Sequence, residues 1–195
     1  MEESRRRFYQ CLLHREIAPA LGCTEPAAAA LTAACAAKCL GCIPEEILVR
    51  TSQYILKNAM NVGIPGIGMT GLDIAVALGA LSASPEKELM ILSGISPEKK
   101  RQAKAMTEQG KVRIELASTE EKIYIEVQVR AGAETAKAIT AEAHKNITYV
   151  EKNDRVCYRK ERKIRKAEET AEEIYTVTLE EILDFAEHTA LENLE

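Results

Sequence analysis

The sequence predicts an α+β domain: an antiparallel sheet with helices packed on one side and an Ala-rich helix at its centre. Three observations carry that prediction. Residues 25–40 are almost entirely alanine, joined by Leu31, Cys35 and Cys39, and small side chains on every side of a helix imply close packing rather than exposure. Residues 112–116 and 123–129 are rich in β-branched side chains, the second run placing Ile123, Ile125, Val127 and Val129 on one face. Asn153-Asp154 then reads as a hairpin turn, so the strands meet their neighbours antiparallel.

The elements follow in order. Residues 4–17 carry Phe8, Cys11, Leu12 and Ile17 at helical spacing beneath a basic shoulder, and Pro19 stops that helix. In the stretch Leu21-Gly22-Cys23-Thr24-Glu25-Pro26, Thr24 is the expected cap and Glu25 and Pro26 suit a first helical turn, so the Ala-rich helix opens there and ends at Gly41. Residues 46–57 are β-rich and partly alternating, which predicts a strand leaving the Pro44 turn. A helix is expected over 72–81 and a short strand over 89–92. Ser96-Pro97-Glu98 starts an amphipathic helix that Gly110 ends. The alternation of Ala136, Ala138 and Thr140, with the strand expected over 147–150, favours continued sheet across 134–144. Between Arg159 and Glu173 six basic and five acidic residues leave almost no apolar ones, which predicts a solvated helix or linker. The expected organisation is a domain over 1–158, a charged linker over 159–177 and, over 178–195, the start of a helical region. That region opens with a Thr178-Leu-Glu-Glu181 capping box and carries an apolar stripe of Ile182, Leu183, Ala186 and Leu191. Such a stripe needs something to pack on.

Composition excludes several classes. A chain of 195 residues with 46% hydrophobic content is long enough to bury a real core as one domain or two small ones. With 4% aromatic residues, no Trp and a net charge of -4, neither base stacking nor phosphate attraction is provided for, so no nucleic-acid partner is expected. No apolar run approaches the roughly 20 residues that cross a bilayer, and Arg5-Arg6-Arg7 is followed by Phe-Tyr-Gln-Cys rather than a signal-peptide core, so a cytoplasmic chain away from membranes is expected. In that setting the six cysteines are better read as reduced thiols or metal ligands than as disulfides.

Two stretches carry candidate chemistry. Cys23 sits at the entrance of a helix, where unpaired amides and the macrodipole favour an anionic sulfur, a better nucleophile or metal ligand than a thiol. The alternative is a small buried residue beside a plain cap. Between Gly63 and Gly71, four glycines and Pro65 flanked by Ile, Val and Met describe a backbone held in special conformations, able to present amides to an anion. Its spacing is neither that of a Walker loop nor that of a dinucleotide loop, and a tight-packing turn is the alternative. Cys35, Cys39 and Cys42 have the C-x3-C-x2-C spacing of radical S-adenosylmethionine enzymes, but two of them lie on an Ala-rich helix with no strand before it, which favours packing roles.

Pro-Ala-Leu-Gly-Cys23-Thr-Glu-Pro, Lys57-Asn58-x-Met60, Val-Gly63-Ile-Pro65-Gly66-x-Gly68-Met69-x-Gly71-Leu and His144-Lys-Asn146-Ile together resemble the iron-sulfur-dependent L-cysteine desulfidase family, which is related to UPF0597-type proteins and to the alpha part of bacterial L-serine dehydratases. The resemblance spans essentially the whole chain, and it implies the N-terminal half of a lyase. Such an enzyme holds a [4Fe-4S] cluster and no pyridoxal phosphate, and eliminates hydrogen sulfide from L-cysteine, or water from L-serine, to give pyruvate and ammonia. It implies Cys23 as one cluster ligand, with the remaining ligands in a second half or a partner chain. It further implies a small amino-acid substrate met by Lys57, Asn58, Ser52 and His144 as catalytic candidates and by Gly66, Gly68, Met69, Gly71 and Asn146 on the binding side. Lys57 acting as base would have to be neutral, and the family pattern has a small polar residue where Lys145 stands. The alternative is a truncated or split subunit without activity of its own that works only by association, as a homo-oligomer or with another chain. A third reading, a Gly-rich anion-binding domain unrelated to sulfur, keeps the loop but makes Cys23 dispensable.

Overall fold

The structure, a computed structural model, describes residues 1–161, 175–190 and 192. The charged stretch expected as linker falls mostly outside the described residues, as does Leu191 of the apolar stripe. The chain divides into two compact units, Met1–Ala18 with Arg162–Glu195, and Pro19–Glu161.

The first unit contains α1 (Glu3–Glu16) and α6 (Leu179–His188). Thr178 caps α6 through a capping box with Glu181, as the sequence predicts. The core of this unit is aromatic: Tyr9 is buried against Phe185, with ring centroids 5.1 Å apart. Arg5 grips Glu181 with two parallel hydrogen bonds of 3.0 and 2.9 Å. Leu179, Ile182 and Leu183 remain exposed on α6.

The second unit runs α2 (Thr24–Leu40), β1 (Glu46–Thr51), α3 (Gln53–Ala59), α4 (Leu72–Ser82), a 3-10 helix (Pro85–Met90), α5 (Pro97–Glu108), β2 (Val112–Leu116), β3 (Tyr124–Ala131), β4 (Glu134–Ala141), β5 (Ile147–Lys152) and β6 (Arg155–Arg159). The strands form one sheet in the order β2-β1-β3-β4-β5-β6. All pairs are antiparallel except β1 with β2, which run parallel because α3, α4, the 3-10 helix and α5 intervene between them in sequence. One face is apolar, with Ile47, Val49, Ile125, Val127, Val129, Ala136 and Ala138 buried. The opposite face is ion-paired, Arg50 reaching both Glu115 and Glu126 and Lys137 reaching Glu151.

Helix α2 is buried on nearly every side, packed against β3, β4 and β5 and also against α4 and the 3-10 helix. Alanine makes that double contact possible. At the crossing with α4, a Cβ placed on Gly79 would lie 2.1 Å from the Ala30 carbonyl oxygen, so the two backbones touch there. The α+β class with an Ala-rich central helix is therefore as predicted.

Three local readings are corrected. The strand predicted over 46–57 stops at Thr51: the Ser52 hydroxyl accepts the Ile55 N–H at 3.4 Å, capping a helix whose Ile55 and Ala59, one turn apart, are both buried. The strand predicted over 89–92 is instead the end of the 3-10 helix opened by Pro85 and a following turn, burying Leu89, Ile91 and Leu92. The cap of α2 is Cys23 rather than Thr24; Thr24 is already helical, and Pro26 still falls where a missing N–H leaves no bond unmade. The Asn153-Asp154 turn is as predicted, both residues having positive φ.

Candidate functional site

The direction of α2 decides what gathers around Cys23. Halfway along, the Thr32 hydroxyl lies 2.6 Å from that of Thr140 near the end of β4. At its C-terminus, the Lys152 ammonium donates to the Leu40 carbonyl at the far end of the sheet. The N-terminus of α2, with exposed Cys23, thus points toward the end of the sheet where β1 finishes, β3 starts and the β4–β5 loop turns.

Several loops meet there. Gly22, at φ 79, lies so close to Pro65 that a Cβ would come within 2.9 Å of the proline ring, which seats the Leu21-Gly22-Cys23 stretch on the glycine loop. The Asn58 amide donates to Glu25 Oε1 at 3.1 Å, tying α3 to the first turn of α2. The Leu21 N–H donates to the Leu89 carbonyl at 3.3 Å, and Lys145 pairs with Glu88 at 3.4 Å, joining the β4–β5 loop to the same group through the 3-10 helix.

The glycine loop is a small hairpin. Gly63 bridges Thr70, Ile64 N–H donates to Met69 O, and Gly71 N–H donates to Val62 O. Its tip is a turn closed by Ile67 N–H on Ile64 O, with Pro65 and then Gly66 at φ 71, the residues a type II turn requires. The carbonyl of Gly66 accepts from Lys100. Folding spends the Gly71 amide, whereas the amides of Gly66, Gly68 and Met69 make no hydrogen bond among the described residues. These three N–H groups are what the loop can offer an anionic oxygen.

The remaining candidates divide by what the fold already asks of them. Lys57 is exposed on α3 and makes no ion pair among the described residues. Ser52 is buried, its hydroxyl donating to Lys122 O at 2.6 Å while capping α3, so its groups are occupied. Asn146 is likewise engaged, donating to Ala141 O at 2.8 Å and accepting from Lys160. His144, in the β4–β5 loop, has a buried Nε2 with no hydrogen-bond partner among the described residues. Glu25, Glu88 and Lys100, which hold these loops together, drew no functional reading from the sequence. Glu25 had a signal in its place beside Cys23 and Thr24, but Glu88 and Lys100 have none in their local pattern.

Among the described residues no group of three or more His, Cys, Asp or Glu side chains is arranged to hold a metal ion. Cys23 stands as a single thiol at the site, and a [4Fe-4S] cluster takes three or four ligands. The described residues therefore do not by themselves fit such a cluster. Cys35 and Cys39 are half-buried farther along α2, and Cys42 is exposed beyond Gly41. Burial pushes the Cys35 thiol up to about 11, which suits packing rather than ligation.

No protein-family model matches the chain, and no solved structure matches it. Among curated proteins, a UPF0597 protein of Bacteroides fragilis is 45% identical over 187 residues, covering 95% of this chain and 43% of that protein. A UPF0597 protein of Porphyromonas gingivalis is 41% identical over 202 residues, covering 100% of this chain and 46% of its own length. One of Parabacteroides distasonis is 46% identical over 145 residues, covering 74% and 34%. The chain spans less than half the length of these relatives, and over that span it belongs to the UPF0597 family.

Proposed function

We propose that this chain is the substrate-side half of a lyase that eliminates hydrogen sulfide from L-cysteine, or water from L-serine, leaving pyruvate and ammonia. The observation that carries the reading is the gathering, at one end of the second unit, of one exposed thiol with a loop and a lysine whose amides and ammonium are unpaired among the described residues. Each has a task in this chemistry. The amides of Gly66, Gly68 and Met69 hold the substrate carboxylate, fixing the α-carbon. Lys57, as the neutral amine, takes the α-proton, and Asn58, oriented by Glu25, steadies the bound amino acid. The bond from Cβ to sulfur or oxygen breaks with its electron pair, and His144 Nε2 is placed in the surrounding loops as a group that can hold or give a proton. Water then hydrolyses the enamine product, through its imine, to pyruvate and ammonia. Ser52 and Asn146 act by holding α3 and the β4–β5 loop in place. Cys23 supplies one ligand of the [4Fe-4S] cluster that the family resemblance implies, and the others come from outside this chain. Reduced exposed thiols of this kind suit the cytoplasm.

The test is an anaerobic assay of pyruvate and sulfide after cluster reconstitution. The 195-residue chain alone is expected to be inactive, and adding the part of a UPF0597 relative beyond the matched span should restore turnover that Cys23→Ser abolishes. Turnover by the chain alone, or an active Cys23→Ser complex, would show the ligand assignment to be wrong. A second reading, a subunit that works only by association, is favoured by the exposed Leu179, Ile182 and Leu183 of α6. It predicts a stable complex with the supplied part but no turnover.

A further inference from the structure

Helix α2 carries a second thiol feature at its opposite end. In its last turn the Cys39 sulfur lies 3.5 Å from that of Cys157 on β6. At the helical rise of 1.5 Å per residue this pair is about 24 Å along α2 from Cys23, so it is separate from the site described above. We propose that Cys39 and Cys157 are a reversible redox pair that closes to a disulfide in the presence of a low-molecular-weight disulfide oxidant, stapling strand β6 to the end of α2.

The surroundings permit closure. A disulfide needs its sulfurs about 2.05 Å apart, so the two must approach by roughly 1.5 Å, within reach of side-chain rotation and a small strand shift. β6 can yield because it is an edge strand, paired among the described residues with β5 alone, with a register irregularity in that pairing and every residue exposed. No other two thiols are hydrogen-bonded to each other among the described residues.

The two cysteines are also unlike in a way that orders the steps. Cys157 is exposed and open to a small oxidant. Cys39 is half-buried, and burial first, then its hydrogen bond with Cys157, pushes its thiol up to about 11, so it waits as the protonated partner. The Cys157 thiolate attacks the oxidant RSSR, forming a mixed disulfide and releasing one thiolate RS⁻. That thiolate takes the Cys39 proton and leaves as RSH. The Cys39 sulfur then attacks the Cys157 sulfur and expels the second RS⁻. Both protein thiols are oxidised, and one RSSR is reduced to two thiols.

The experiment treats the 195-residue chain with oxidised glutathione, alkylates the remaining thiols, and maps the digest by mass spectrometry. The expected product is a Cys39–Cys157-linked peptide pair, two hydrogens lighter than the reduced pair and restored by dithiothreitol. The β6 amides should exchange about tenfold or more slowly in the oxidised protein. Cys39→Ser should trap a glutathione adduct at Cys157, and Cys157→Ser should leave Cys39 unmodified. Unchanged exchange across α2 shows that both variants are folded. A glutathione adduct persisting on Cys157 of the unaltered chain without the crosslink, or crosslinks from Cys157 to Cys42 or to a second molecule, would overturn the proposal.

Discussion

The buried hydroxyl pair between α2 and the sheet shows how one polar contact can fix a helix on an otherwise apolar face. Thr32 and Thr140 are both fully buried, and their oxygens lie 2.6 Å apart. Thr32 also donates to the Ala28 carbonyl at 2.7 Å, so its proton is spent and Thr140 must be the donor across the interface. The two ends are therefore not equivalent. Thr32→Val strands the Thr140 hydroxyl without an acceptor and should cost about 1–3 kcal/mol, whereas Thr140→Val leaves Thr32 bonded to Ala28 and should cost less than about 1 kcal/mol. The double variant should be no worse than Thr32→Val alone. Urea unfolding of the three variants measures this, and equal costs for the two single changes would mean that the donor assignment is wrong. From the sequence, Thr140 is legible only as a strand position and Thr32 only as a polar interruption among alanines. Their meeting depends on a contact between residues 108 apart, which no local pattern contains.

Elements were legible where one periodicity ran long enough to exclude the other. The Ala-rich helix and the alternating strands β3 and β4 are such cases, and the structure places each close to its predicted span. The strand predicted over 46–57 ran too far because Ile55 and Leu56 fit either period; the choice was made by the Ser52 cap, anchored on the Lys122 carbonyl in the bend before β3. The parallel pairing of β1 with β2 was hidden for a related reason, since the segments between them had first to be placed. At the site, Cys23 and the glycine loop are readable as chemistry from local pattern and the family resemblance implies that they share a site, but the contacts that join them, Gly22 against Pro65 and Asn58 on Glu25, lie in no local pattern. The packing of α2 on α4 gives a sharp test at this scale. Gly79→Ala improves helix propensity by about 1 kcal/mol, but the new methyl meets backbone atoms of Ala30 that cannot rotate away. Overpacking of that kind costs about 1–3 kcal/mol or more, so the clash should win and the midpoint of thermal unfolding should fall. A neutral or stabilised Gly79→Ala would mean that the helices can separate at this crossing.

At the scale of the whole chain, the two units rest on different interactions and should answer acid differently. The second unit holds its elements mainly by apolar burial, and the ion pairs of its sheet, such as Arg50 with Glu115 and Lys137 with Glu151, lie on the face opposite that core. The first unit instead ties α1 to α6 through one partly exposed carboxylate, that of Glu181. Hydrogen bonds from Arg5, with further ones from the Thr178 backbone and Tyr9, hold Glu181 at about 2 against an ordinary value of 4.5. A carboxyl depressed on folding stabilises the folded form fully above its unfolded value, and that contribution drains away as pH falls through the folded one. The first unit should therefore lose stability between about pH 4.5 and 2, with the Tyr9 and Phe185 rings, packed at 5.1 Å, reporting the loss through their NMR shifts. Glu181→Gln should begin less stable at neutral pH and change little across that window. The resonances of the buried sheet residues Val127 and Ala138 should hold their positions longer on acidification than those rings. If Glu181→Gln retains the acid transition of the unaltered chain, another carboxylate governs it, and Asp184, also lowered, is the next to replace.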